Sequence, residues 1–353
     1  TNKREDEYGG SLQNRTRFIV NILNGIKERC GADFPVIVRL SADECYDKIG
    51  MAGEGYTLKD GVEIAKILER NGADAIDVSS AGYDTFNYWL EPVSFEPGWR
   101  KYMAKAIKEA VSIPVLAANL IRSPEQAESQ LQEGIQDFVS LGRPQIADPH
   151  WANKALSGKG TIKRCICCLN CIESMQNNAY IGSHGECSVN PFVGHEGEKV
   201  EKDGNGRKIV VIGAGPAGLV ASEILADRGF DVTLFEKNEK AGGQIILAAA
   251  PPKKDKTYWI IEDLVNACKE KGVKILLGTE ATIEKIKEID PVKVFIATGG
   301  TPIKPNFPGN SDGSNVYTFD EILNGKVTLE GKKVAVIGSG MTGLETAHML
   351  CEQ

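Results

Sequence analysis

Four thiols raise the first question of chemistry. Cys165, Cys168, Cys171 and Cys187 are spaced Cys-x2-Cys-x2-Cys-x15-Cys. Thiolates three positions apart converge on one small object only where the backbone curls around it. Closely packed cysteines with one outlying ligand are the habit of iron–sulfur ligation, and the run reads as a [4Fe-4S] site. Zinc usually takes two Cys-x2-Cys pairs separated by a finger-length loop, and this spacing lacks the second pair. Zinc and incidental thiols stand as the alternatives. Cys167, between the ligands, reads as a bystander, although a one-residue shift would let it replace Cys168.

A second chemistry lies downstream. An apolar run, residues 208–212, feeds Gly213-Ala214-Gly215-Pro216-Ala217-Gly218 and then a helical pattern. This Gly-x-Gly-x-x-Gly lets the chain turn tightly, approach a pyrophosphate and present a helix N-terminus to it, while the third glycine permits close helix–strand packing. The next apolar run, residues 232–235, ends in Glu236 with Lys237 beside it, near the spacing at which a carboxylate meets adenosine ribose. Gly242, Gly243 and Gln244, and the later run 294–300 with Thr298 and Gly299, are similar to the two-dinucleotide flavoprotein reductases, whose first site takes FAD. A second fingerprint, Gly338-x-Gly340-x-x-Gly343, follows an apolar run at residues 334–337 and reads as an NAD(P)H site. NADH and NADPH are not distinguished, because the residue that would choose between them does not occur in the sequence.

Elements must position these residues. The 353 residues suggest two or three domains. With 48 acidic against 41 basic residues there is no basic stripe for nucleic acid or an anionic membrane. No run of eighteen apolar residues marks a membrane span. The nine cysteines are clustered, and Cys30, Cys45, Cys268 and Cys351 read as isolated buried thiols. A reducing cytoplasm is expected. Residues 1–150 alternate helix and strand patterns four times: helices over 15–29, 58–71 and 99–111 and one opened by Ser123-Pro124, strands over 35–40, 75–78, 114–118 and 138–141. Such alternation means βα units and a parallel sheet, and the expected fold class is α/β. The four histidines, His150, His184, His195 and His348, form no constellation.

Thr1-Asn2-Lys3-Arg4, Asp6-Glu7-Tyr8-Gly9-Gly10-Ser11-Leu12 and Asn14-Arg15 through Phe18 resemble the mid-barrel signature of the old yellow enzyme family, in its multidomain branch. That branch includes dienoyl-CoA, enoate and bile-acid-type reductases, and trimethylamine dehydrogenase. The resemblance covers the whole chain. It implies the second half of a (β/α)8 barrel carrying FMN over 1–150, a [4Fe-4S] loop and linker over 151–206, an FAD domain over 207–331 and the start of an NAD(P) domain over 332–353. The chain is accordingly expected to be a central piece of a longer enzyme. The resemblance places Asn119, Leu120, Gly142 and Arg143 at the FMN phosphate and Arg39 by the flavin ring, with the departure that the family often has glycine where Asn119 and Leu120 stand. Arg39 also reads as one half of an ion pair at a strand end. Tyr83 is the candidate proton donor, or else a structural tyrosine at the barrel mouth, and residues 88–95 form an aromatic loop for a flat substrate or for packing. The implied activity is NAD(P)H-dependent reduction of an α,β-unsaturated carbonyl compound through FAD, [4Fe-4S] and FMN. Amine oxidation of the trimethylamine dehydrogenase type, or a non-catalytic FAD-binding piece, is the alternative. The expected partner is a small molecule, with homo-oligomerisation left open.

Overall fold

The computed structural model describes residues 2–304 and 315–352. Contacts divide the chain into two units, one of residues 1–146 with 167–172, the other of residues 147–166 with 173–353.

In the first unit, four βα pairs follow one another. The helices are α1 (Leu12–Cys30), α2 (Leu58–Arg70), α3 (Lys101–Lys108) and α4 (Pro124–Gln132). The strands β1 (Ile37–Ser41), β2 (Ala75–Ser79), β3 (Val115–Ala117) and β4 (Phe138–Val139) lie in the order β1-β2-β3-β4, all parallel. The starts are dictated locally. Ser11 accepts the Asn14 amide at the head of α1, Thr57 and Asp60 form a capping box for α2, and Ser123 caps α4 with Pro124 at its first turn.

The two sheet faces differ. Val38, Leu40, Ile76, Val78, Val115 and Ala117 are buried in one core with Leu23, Leu68, Met103 and Ile107 of the helices. The alternate positions carry Ile37 and Phe138, each 56% exposed, together with Arg39 and Asp77. A barrel interior has this pattern, since side chains on alternate positions point away from the outer helices.

The amino ends of the strands are pinned by a repeated device. Asp74, just before β2, accepts the Val36 amide at 2.6 Å and Lys27 Nζ from α1 at 2.7 Å. Asp137, just before β4, accepts the Val115 amide at 2.8 Å and pairs with Lys108 of α3 at 2.8 Å. Hydrogen bonds from Lys27 and the Val36 amide hold the Asp74 carboxyl below its ordinary value. Burial pushes Asp137 up, but the bonds from Lys108 and the Val115 amide more than reverse it.

The second unit holds the parallel sheet β7-β6-β5-β8, formed by β5 (Lys208–Ile212), β6 (Asp231–Phe235), β7 (Lys274–Leu276) and β8 (Lys293–Ile296). This order matches the first four strands of a doubly wound nucleotide fold. Helix α5 (Pro216–Asp227) follows β5, α6 (Trp259–Glu270) packs on α5, and α7 (Met341–Cys351) carries the second fingerprint. The apolar run at residues 334–337 does not form a strand. That stretch has no ladder partner among the described residues, and Ile337 is exposed. Extended backbone becomes a strand only when a neighbour satisfies its amides and carbonyls.

The isolated thiols are not all buried. Cys45 and Cys268 are, and burial pushes each thiol up to about 12. Cys30 and Cys351 are exposed, because each sits at the last residue of its helix. No helix among the described residues is long and apolar enough to cross a membrane.

Candidate cofactor sites

In the second unit, the glycine turn is built as its spacing requires. Gly213 stands at φ +104°, and a Cβ there would lie 2.4 Å from the Ala297 carbonyl oxygen. A Cβ on Gly218 would lie 1.9 Å from the Gly213 carbonyl oxygen, so the first turn of α5 packs on bare backbone. Gly215, at the N-cap with φ −78°, is different: a Cβ there would meet only the Gly243 Cα, at 4.0 Å. Its bareness serves no packing within the protein and leaves a cradle open above the start of α5.

The other expected residues converge on this turn. The Gly242 amide donates to the Ala214 carbonyl at 2.9 Å, and Gly243 lies against Gly215. The Ala297 amide bonds the Ile212 carbonyl, which brings Thr298 and Gly299 beside Gly213. Gln244 Nε2 donates to the Gly300 carbonyl at 3.0 Å. Glu236 is buried and accepts the Ala214 amide at 2.8 Å and both the amide and side-chain nitrogen of Asn238. A carboxylate takes about four such bonds, so capacity for a ribose hydroxyl is left. Lys237 is exposed beside it. The cradle and its donors fit a dinucleotide pyrophosphate. A hollow of about 380 Å³ beside Arg164, Lys240, Ala241 and Tyr258 includes none of Gly213, Gly215 or Glu236 in its walls.

The second fingerprint repeats the backbone turn of the first, without the neighbouring backbone that crowds Gly213. Gly338 stands at φ +114°, Gly340 is an extended N-cap, and a Cβ on Gly343 would lie 2.0 Å from the Gly338 carbonyl oxygen. The turn thus forms without its strand.

In the first unit, charged residues lie midway along β1 and β2 and just past the ends of β2 to β4; Arg39, expected at a strand end, is the middle residue of β1. Arg39 donates to Asp77 at 2.7 Å, with its side chain about half exposed, and Ser140 Oγ also bonds Asp77. Leu120 adopts φ +52°, in the left-handed region that favours glycine. This is one of the two positions where glycine was the expected residue. Asn119 is buried with its amide donating to Gln130 and Gln136, so its side chain serves the fold and only its backbone is available to a ligand. A Cβ on Gly142 would meet nothing within 4 Å. Arg143 turns its guanidinium to Glu91, which is fully buried.

Glu91 was not anticipated. Its carboxylate takes Arg100 at 2.8 Å, Arg143 at 2.8 Å and the Trp99 indole N–H at 2.9 Å. Burial lowers the Arg100 guanidinium from its ordinary value, with Glu91 opposing and Arg143 and Arg39 adding to the fall. Arg39 thus pairs with Asp77, and Arg100 and Arg143 with Glu91. The clustered guanidinium groups and the open backbone at Gly142 fit an anionic flavin mononucleotide.

The aromatic loop divides in two. Tyr88, Phe95 and Trp99 pack with centroids 5.1–5.7 Å apart, and Trp99 is the ring that bonds Glu91. Tyr83, 84% exposed, stands edge-on to Trp89. The sequence reading also missed Tyr46, whose hydroxyl donates to Asp84 at 2.5 Å. That bond pushes the phenol up to about 12.

The cysteine run curls through left-handed residues at Cys167 and Leu169. In the first unit, buried Cys167 accepts a hydrogen bond from Arg122 Nη1. In the second unit, Cys165 follows Arg164, which is fixed on α6 by Asp263, Glu262 and the Trp259 ring. The Val189 amide donates to the Cys187 sulfur at 3.4 Å. Among the described residues, no three His, Cys, Asp or Glu side chains stand together as a metal site. Spacing and donor chemistry alone support a cluster there.

Comparison with known proteins finds two family matches. Residues 1–161 match the NADH:flavin oxidoreductase / NADH oxidase family, and residues 207–353 match the pyridine nucleotide-disulphide oxidoreductases. An NADH oxidase from Thermoanaerobacter brockii is 40% identical over 360 residues, covering 100% of this chain and 54% of the relative. A cinnamate reductase from Clostridium sporogenes is 35% identical over 366 residues, covering 100% of this chain and 53% of the relative. A solved 2-naphthoyl-CoA reductase complex aligns with a TM-score of 0.88 at 31% identity, over 99% of this chain and 52% of that one. The chain spans about half the length of the curated relatives it matches.

Proposed function

The chain belongs to the multidomain, old yellow enzyme-like family of NADH:flavin oxidoreductases, and on that premise we propose that the protein uses NAD(P)H to reduce the C=C bond of an α,β-unsaturated carbonyl compound. The observation that carries this reading is the doubled glycine turn in a chain that also holds a barrel-type unit. An FAD-type turn followed by a second glycine turn of the same backbone form suits a protein that draws hydride from a nicotinamide.

When bound, the nicotinamide supplies hydride, FAD and FMN exchange electron pairs for single electrons, and a [4Fe-4S] centre on Cys165, Cys168, Cys171 and Cys187 would carry those between them. The chain's own residues do the holding and the proton work. Gly213, Gly215, Pro216, Ala217 and Gly218 present backbone to the FAD pyrophosphate, Glu236 takes the ribose, and Lys237, Gly243, Gln244, Thr298 and Gly299 line the same crevice. Gly338, Gly340 and Gly343 would do for NAD(P)H what the first three glycines do for FAD. The backbone at Asn119, Leu120 and Gly142, with Arg143, would seat the FMN phosphate. Arg39 would set positive charge against the reduced flavin ring. Tyr83 is the proton donor we propose to test, next to the Asp84 that holds Tyr46. The Tyr46 phenol, pushed up to about 12 by its bond to Asp84, keeps its own proton at neutral pH.

The relatives named for cinnamate and 2-naphthoyl-CoA make an enoate or aromatic acyl thioester the first substrates to try. The test is anaerobic turnover of the full-length protein with NADH or NADPH. Nicotinamide oxidation that requires the unsaturated carbonyl compound, with its saturated product, is expected. Flavin reduction by amines, with no response to NAD(P)H, would replace this reading with amine oxidation.

A further inference from the structure

We propose that Glu91 is the positioning residue of the flavin phosphate site, an inference that rests on the FMN reading above. Residue 91 holds Arg143 twice, by its carboxylate at 2.8 Å and by its carbonyl oxygen at 2.7 Å. Arg143 directly follows Gly142, whose backbone is open to a ligand. Fixing the guanidinium therefore fixes the Gly142–Arg143 peptide. The same carboxylate takes Arg100, which reaches on to Ser80 Oγ at 2.9 Å and to the Ala118 carbonyl, so one buried acid links the carboxyl ends of β2, β3 and β4.

The Glu91 carboxylate therefore holds two guanidinium groups, those of Arg100 and Arg143, in fixed places. Tyr88, Phe95 and Trp99 cover the acid and keep water from screening it. A dry, preformed cationic site costs little reorganisation when a phosphate arrives. Segment 88–99 thus serves the cofactor rather than the substrate.

The test separates phosphate from ring. In full-length protein with FAD retained and FMN removed, the affinities for FMN and for riboflavin are measured by fluorescence quenching. Glu91→Gln should weaken FMN by roughly tenfold, the scale of one lost charged hydrogen bond, and leave riboflavin nearly unchanged. Glu91→Asp, which keeps the charge, should recover part of the loss. Equal weakening of both flavins would make Glu91 a fold residue only, and unchanged FMN affinity in a folded Glu91→Gln protein would equally overturn the role. Wild-type protein with no affinity for FMN would instead remove the FMN reading itself and this inference with it.

Discussion

At the scale of single residues, the three glycines of one motif do three different jobs, and substitution should separate them. Gly215→Val places a side chain in open space at an ordinary φ, so the protein should fold and lose FAD. Gly218→Ala drives a methyl group to 1.9 Å from a carbonyl oxygen and should destabilise the second unit, by roughly 1–3 kcal/mol as overpacking does. Flavin content and thermal unfolding, measured on both variants, decide it. FAD retained in Gly215→Val would refute the cradle. The motif was legible because its spacing alone implies a tight turn and a close approach. Glu91 was not, because its partners Arg100 and Arg143 lie 9 and 52 residues away, and no local pattern marks an acid destined for burial. Leu120 lies between these cases: its departure from glycine was visible, but its left-handed backbone was not.

Among elements, the first unit divides labour between the two ends of its strands. The carboxyl ends carry Leu120, Gly142 and Arg143, with Arg39 midway along β1, while the amino ends carry the Asp74 and Asp137 clamps. Conservation of function at one end and of stability at the other is the barrel rule. The clamps make a pH prediction. Asp74 has its carboxyl lowered in the folded state, so its stabilisation is fully present above the unfolded value and lost as pH falls through the folded one. Asp74→Asn should lower the urea midpoint near neutral pH, and the gap to wild type should close below about pH 3.9. A gap that persists in acid would mean that Asp74 acts through packing. Helices and strands here were mostly readable from period and caps, Ser123-Pro124 among them. The stretch 334–337 shows the limit: an apolar β-branched run states a propensity, but strand formation needs a partner that the sequence window does not display.

For the whole molecule, we propose one flavin site in each unit, and hydride transfer demands reacting atoms about 3–3.5 Å apart. Two such sites in one protein call for a one-electron carrier, which is the role we propose for the four cysteines. The most direct test is anaerobic stopped-flow reduction of the full-length protein and its Cys168→Ser/Cys171→Ser variant by NAD(P)H, with and without an enoate. In the wild type, both flavins should bleach and the enoate should restore their absorbance. In a folded variant that retains both flavins, only the FAD fraction should bleach, dyes accepting from FAD should still be reduced, and enoate reduction by NAD(P)H should collapse. Enoate reduction at the wild-type rate in that variant would contradict the relay and place the nicotinamide directly at the barrel.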